Sequence, residues 1–194
     1  MDPVHRTVEH RRFLFLTDPA RRQHTEIVKA VFDSNECQYI IDAAKQFGWS
    51  ERRHDAYPTV DVAVRDLPCQ KDIQQCVHQR VISSMSEVYG FNADDLMPVD
   101  LFVVKYASNG QTQLKLHTDG CLLSFNVVLN TGFQGGGTYF DDDQRTVHLG
   151  LGDCVMHWSK RLHAGLPVTQ GERYLLVGFI DTKGAASTLK SRSH

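Results

Sequence analysis

The stretch TQLKLHTD at residues 112–119, followed at once by CLLSFNVVLN at 121–130, decides how this chain is read. Both runs carry the apolar and β-branched residues of strands, and the break between them falls at Gly120. Strand side chains alternate, so His117 and Asp119 project from one face. Working outward, further short strands are predicted at VDLFVVKY (99–106), TYFD (138–141), RTVHL (145–149), DCVMHW (153–158) and ERYLLVGFID (172–181). Turn signals separate them at Asn109-Gly110, at the run Gly135-Gly136-Gly137, and at Gly150 and Gly152. Short strands at this spacing argue an antiparallel sandwich or barrel.

The half before residue 99 has another character. IVKAVF (27–32) reads as a short strand. Asp33 and Glu36 then stand at capping-box spacing before Cys37, Ile40, Ile41, Ala44 and Phe47, which recur at helical period until Gly48. After Pro68 the helical pattern returns over 70–89 through Ile73, Val77, Val81, Met85 and Val88, and Gly90 closes it. Each helix presents one apolar stripe, so each is expected to pack on a sheet. The expected class is mainly β (α+β): one domain over residues 1–194, with helical support at 1–98 and a β core at 99–182.

Composition bounds the function. The 194 residues are 41% hydrophobic and 23% charged, with 21 Lys+Arg against 23 Asp+Glu. A chain of this size buries roughly 70% of its unfolded surface, enough for one core. A formal net charge of −2 lacks the footprint of a nucleic-acid binder, and none is expected as a partner. Cys37, Cys69, Cys76, Cys121 and Cys154 are odd in number with no C-x-x-C pair, which argues against a disulfide framework and for a reducing compartment. The first thirty residues hold only a four-residue apolar run, Phe13 to Leu16, too short for a signal core or a membrane span. Cytosol or nucleus is the expectation, with no membrane partner; oligomeric state is left open. Arg6, Arg11, Arg12, Arg21 and Arg22 read as a solvated N-terminal segment.

Ten histidines stand out, and their order assigns two of them. His117 and Asp119 are preset by strand alternation, and His163 in RLHAG (161–165) is the natural third ligand. Two imidazoles and one carboxylate on one face of a metal suit non-heme Fe(II) oxygenases, though zinc also accepts them. His157 is the rival, but it lies in the apolar run CVMHW and reads as a packed side chain. His5, His10, His24, His54, His78, His148 and His194 have no coordinating spacing and read as surface or capping residues. Arg173 follows His163 by ten residues, at the start of a strand expected to return beside the one bearing His163. Alternation sets Arg173, Leu175, Val177 and Phe179 on one face. A guanidinium facing a barrel interior needs an anion, and a bidentate carboxylate is its partner. A metal and an arginine in one cavity fit a dicarboxylic acid.

In order, FVVKY (102–106), HTD (117–119), FNVVLN (125–130), FQGGGTYF (133–140), LHAGLPV (162–168) and GERYLLVGFID (171–181) resemble the Fe(II)/2-oxoglutarate-dependent dioxygenases. The likeness is to the prolyl 4-hydroxylase and procollagen lysyl hydroxylase group, and YPTVDVAV (57–64) is similar to the lysyl hydroxylases too. The resemblance implies a double-stranded β-helix, or jelly roll, with iron held by His117, Asp119 and His163 and the distal carboxylate of 2-oxoglutarate held by Arg173. It further implies cosubstrate contacts from Tyr106, Thr138 and Asn126, with Phe179 closing the wall and Ser124 and Val128 facing inward. The cofactors implied are Fe(II), 2-oxoglutarate and O2, with ascorbate as an accessory. The reaction implied is C–H hydroxylation coupled to decarboxylation of 2-oxoglutarate to succinate and CO2. The filled Asp119 position favours hydroxylation over halogenation. The substrate implied is a prolyl or lysyl residue of a protein or peptide; the alternatives are a free amino acid or small metabolite, and a non-catalytic metal-binding jelly-roll sensor. Thr138 stands where lysyl hydroxylases have a cysteine. The loops before Tyr57–Val64 and around Asp141–Gln144 are the segments expected to close over the site or leave a groove.

Overall fold

The computed structural model describes residues 6–51, 53, 54 and 57–185. Residues 6–24 form two helices, α1 (Val8–Thr17) and α2 (Pro19–Gln23). Strand β1 (Thr25–Val28) leads into α3 (Ser34–Phe47). Strand β2 (Asp61–Ala63) precedes a composite helix of α4 (Gln70–Cys76), a π-helical turn (Val77–Ile82) and α5 (Ser83–Tyr89). The remaining strands are β3 (Leu96–Ala107), β4 (Leu114–His117), β5 (Leu123–Val128), β6 (Gln134–Gly135), β7 (Thr138–Phe140), β8 (Arg145–Val147), β9 (Cys154–Trp158), β10 (His163–Gly165), β11 (Val168–Gln170) and β12 (Glu172–Thr182).

The strands form a six-stranded sheet, β1-β9-β5-β12-β3-β2, and a four-stranded sheet, β4-β10-β7-β8, with β11 paired to β6. All named pairings are antiparallel. Alternation divides the large sheet cleanly. Leu101, Val103, Phe125, Val127, Tyr174 and Leu176 point to the helices and join Phe15, Ile40, Ile41, Val77, Val81 and Met85 in the main core. Phe102, Val104, Tyr106, Val128 and Leu175 point the other way into a second cluster. The helices therefore cover one face of the large sheet and leave the other for the cavity between the strands.

The helix expected from Asp33 forms with the capping box intact: Asp33 accepts from the Asn35 and Glu36 N–H groups, and Glu36 accepts from the Asp33 N–H. The pattern over 70–89 also forms, with a π-helical turn inside it. Three expectations need correction. The strand expected at 27–32 ends at Val28, because Ala30 turns to a positive φ of 50° and its N–H is taken by the Asp153 carboxylate. The N-terminal segment is only partly solvated. Thr7 caps α1, Phe15 is fully buried, Arg11 pairs with Asp95 at 2.6 Å, and Arg12 pairs with Asp181. Two N-terminal helices were also missing from the expected support. Phe32 packs so closely on Gly152, at φ 71°, that a Cβ there would run into the Phe32 carbonyl, which explains the glycine.

Asp153 is the lock of this corner. Burial opposes its charge, but the Lys29 ammonium and the N–H groups of Ala30 and Gly150 outweigh it, so its pKa lies below the ordinary 3.8. A depressed carboxylate contributes stability above 3.8, and that contribution disappears as pH falls through the folded-state value. Asp153→Asn is accordingly expected to cost about 1–2 kcal/mol at pH 7. The gap from wild type should narrow in denaturant unfolding curves taken stepwise from pH 7 to pH 2; a constant gap would contradict this account.

Candidate metal and cosubstrate site

His117 ends β4, Asp119 follows two residues on, and His163 opens β10, the neighbouring strand, where it is the cross-strand partner of His117. The three are 7%, 7% and 5% exposed, and one donor atom from each lies within 4.8 Å of the others. Both Nε2 atoms stand 3.5 Å from an Asp119 oxygen, one on each side of the carboxylate. The tautomers follow from the neighbours. His117 Nδ1 lies 2.7 Å from the Lys115 carbonyl and His163 Nδ1 lies 2.8 Å from the Arg161 carbonyl. A carbonyl only accepts, so each Nδ1 carries the proton and each Nε2 keeps a lone pair turned to the centre. Ser124 donates its hydroxyl to Asp119 at 2.6 Å.

Asp119 is held as a carboxylate between the two imidazoles. Burial works against the Asp119 charge, yet the adjacent His117 ring, the His163 and His157 rings and the Ser124 hydroxyl hold its pKa at about 2. Burial would lower His117 too, but the Asp119 contact and the Lys115 carbonyl raise it. Burial lowers His163. His157 is fully buried, held at about 3 by burial and by His163, and its Nδ1 donates to the Trp158 carbonyl. It packs 4.5 Å from the His163 ring and lies outside the three-residue group, as a packed side chain should.

Arg173 opens a second pole of the same cavity. It is 2% exposed, donates through Nη1 to the Gly137 carbonyl at 3.2 Å, and stands over the Phe133 ring at 5.9 Å. Its Nε has no hydrogen-bond partner among the described residues. Burial lowers its pKa to about 10. The expected strand arrangement is wrong here. β12 pairs with β3 and β5 in the large sheet, whereas β10 pairs with β4 and β7 in the small one. The chain changes sheets through β11 and the turn at Gly171, so Arg173 meets the metal ligands across the cavity and not along a sheet.

A cavity of about 480 Å³ joins the two poles. Tyr106, His117, Asp119, Asn126, Thr138, His163, Arg173 and Phe179 all line it. The register explains why: Arg173 lies opposite Tyr106, Val177 opposite Asn126, and Phe179 opposite Ser124. Burial raises the Tyr106 hydroxyl well above its ordinary range, so it remains a proton donor at neutral pH.

Some lining residues carried no signal in the sequence. His54, expected on the surface, lines the cavity, with its ring 4.9 Å from Phe102 and its Nε2 3.6 Å from Asp61. Arg53 beside it bridges Asp61 and Asp100 at 2.7 Å each, and Tyr57 stands 5.1 Å from the His117 ring. Gly136 was read as a turn residue only; a Cβ there would stand 3.1 Å from Arg173 Cδ, so the glycine makes room for the guanidinium stem. Of the two candidate closing segments, the one around Tyr57 contributes walls, while no residue of 141–144 does. His5 and His194 lie outside the described residues. His10, His24, His78 and His148 stay out of the cavity lining. The five cysteines are free thiols. Among the described residues no helix is long and apolar enough to cross a membrane.

The β-rich architecture is the jelly-roll fold of the 2-oxoglutarate–Fe(II) oxygenases. A viral collagen prolyl hydroxylase from Paramecium Bursaria Chlorella virus-1, solved with 2-oxoglutarate, superposes with a TM-score of 0.68 at 20% identity, covering 84% of this chain and 98% of that one. By sequence the chain is related to procollagen lysine hydroxylases. It is 27% identical over 161 residues to the multifunctional procollagen lysine hydroxylase and glycosyltransferase of Rattus norvegicus, covering 75% of this chain and 22% of the relative. It is 26% identical over 167 residues to procollagen-lysine,2-oxoglutarate 5-dioxygenase 2 of Homo sapiens, covering 78% and 23%. The chain thus spans less than a quarter of the length of these curated relatives. No family model matches it.

Proposed function

We propose that this chain is an Fe(II)- and 2-oxoglutarate-dependent hydroxylase acting on a prolyl or lysyl residue of a protein or peptide, with residues 1–194 as one catalytic domain. The observation that carries the reading is the buried guanidinium of Arg173, with an unpartnered Nε, in one cavity with three converging metal-ligand side chains. A positive charge at 2% exposure with no counter-ion among the described residues is costly unless a ligand supplies the anion. The donor set, two imidazoles whose Nδ1 atoms are turned to carbonyls and a carboxylate, fits Fe(II). The relatives favour a peptidyl substrate.

Each side chain then has a defined task. His117, Asp119 and His163 would hold Fe(II) through Nε2, a carboxylate oxygen and Nε2. Bound iron with 2-oxoglutarate and O2 supplies the oxidising power for C–H hydroxylation, with succinate and CO2 as coproducts. Arg173 pairs with the distal carboxylate of 2-oxoglutarate, and Tyr106 and Thr138 offer hydroxyls from the neighbouring walls. Asn126 lies on the inward face of β5. Phe102, Leu175, Val177 and Phe179 keep water from the reacting centre. Ascorbate would serve as an accessory reductant.

Anaerobic addition of Fe(II) and then 2-oxoglutarate is expected to produce a visible charge-transfer band, and succinate release should follow with a subset of prolyl or lysyl peptides. A panel that includes free amino acids separates peptidyl from small-molecule substrates. Absence of the band in the wild type would remove the reading.

A further inference from the structure

The turn between β9 and β10, residues 159–161, touches both segments that carry the ligands. The Asp119 N–H donates to the Ser159 carbonyl at 2.9 Å, and the Lys160 ammonium donates to the Asp119 carbonyl at 2.8 Å. The Arg161 carbonyl accepts the His163 Nδ1–H at 2.8 Å. The turn itself is held by the Arg161 side chain, which is 2% exposed. Its Nε and Nη2 bind the two oxygens of Asp142 at 2.9 and 2.6 Å, Nη2 lies 3.2 Å from Asp143, and Nη1 donates to Thr25. The guanidinium also stands 4.5 Å over Phe140, the β7 residue opposite His163. The chemistry described above has no use for this arginine, since it lies outside the cavity lining.

We propose that Arg161 is a positioning residue for the metal site. Clamped to the β7–β8 turn by Asp142 and Asp143, it holds the 159–161 backbone in place. That backbone in turn aims the His163 imidazole and the Asp119 segment. The planar, bidentate contact with Asp142 is directional in a way that a lysine cannot reproduce. Groups that hydrogen-bond a metal-ligating histidine set its tautomer and ring orientation, and losing them costs roughly 10–100-fold in metal affinity. His117 is oriented separately, by the Lys115 carbonyl of its own strand. Loss of Arg161 should therefore act on one imidazole and spare the other. This inference rests on the proposed metal site, and its test separates the two.

The probe is Co(II), followed by chelator competition and by the paramagnetically shifted imidazole N–H resonances in proton NMR. In Arg161→Gln the Co(II) dissociation constant should rise roughly 10–100-fold. One imidazole N–H resonance should shift or exchange with water while the other stays. Arg161→Lys should recover part of the affinity. The double variant Asp142→Asn/Asp143→Asn should reproduce the effect while leaving the turn residues unchanged, and it decides the matter if Arg161→Gln fails to fold. Wild-type affinity with both resonances unmoved overturns the inference, as does an equal displacement of both, which marks a general loss of structure. If the wild type does not take up Co(II), the proposed metal site fails and this inference with it.

Discussion

Arg173→Met is expected to abolish measurable 2-oxoglutarate binding while leaving the protein as stable as the wild type or more so. The two effects have opposite signs because they have one cause. In the free protein the guanidinium is 2% exposed, has one long hydrogen bond to Gly137, and carries an Nε with no partner among the described residues. Burial has already lowered its pKa to about 10. The fold therefore bears an uncompensated charge, and an apolar side chain of similar length removes that cost. Binding loses the same charge when it is needed. Deleting one partner of a desolvated, hydrogen-bonded charge pair costs about 2–5 kcal/mol, or roughly 30- to several-thousand-fold in affinity. Equilibrium dialysis of labelled 2-oxoglutarate with the Mn(II)-loaded protein measures the loss, and thermal unfolding of the metal-free protein measures the gain. Retained binding, or a sharp fall in Tm, would show that Arg173 serves the fold and not a dicarboxylate.

Much of this site was legible because its signals are local. The H-x-D spacing marked His117 and Asp119 as a pair, although β4 ends at His117 and Asp119 is held beyond it by the Ser159 carbonyl; alternation does put Arg173, Leu175, Val177 and Phe179 on the cavity side of β12. Asp33 and Glu36 announce their helix through two reciprocal hydrogen bonds three residues apart. What failed was non-local. Nothing in the nine residues between His163 and Arg173 says whether the returning strand joins the same sheet or the facing one; that depends on which partners β3 and β5 leave open. His54 has no coordinating spacing, and only the path of the chain ahead of β2 brings its ring onto Phe102. Helix α1 was obscured because only Arg11 and Phe15 are buried on it, too sparse a stripe to register as a period. Its arginines read as solvated because their partners, Asp95 and Asp181, lie 84 and 169 residues away.

The second large effect is expected at Asp119. Asp119→Ala removes the only carboxylate lining the cavity among the described residues, the group that stands 3.5 Å from both imidazole Nε2 atoms. Structural metal sites with four protein ligands reach about 10–16 kcal/mol, so one ligand of three corresponds to about 3 kcal/mol or more, roughly a hundredfold or greater loss of affinity. The loss should appear as a missing linkage: added Mn(II) raises the Tm of the wild type by binding the folded state alone, and leaves that of Asp119→Ala where it was. Asp119→Glu sharpens the argument. It keeps the charge but lengthens the arm inside a shell where Ser124 holds the carboxylate at 2.6 Å and the Ser159 carbonyl holds its backbone at 2.9 Å. If the site needs only a negative charge, Glu restores the metal-dependent rise in Tm. If it needs a carboxylate at this depth between His117 and His163, as the packing around it argues, Glu recovers only part. A full metal response in Asp119→Ala would move the metal elsewhere and undo the proposed function.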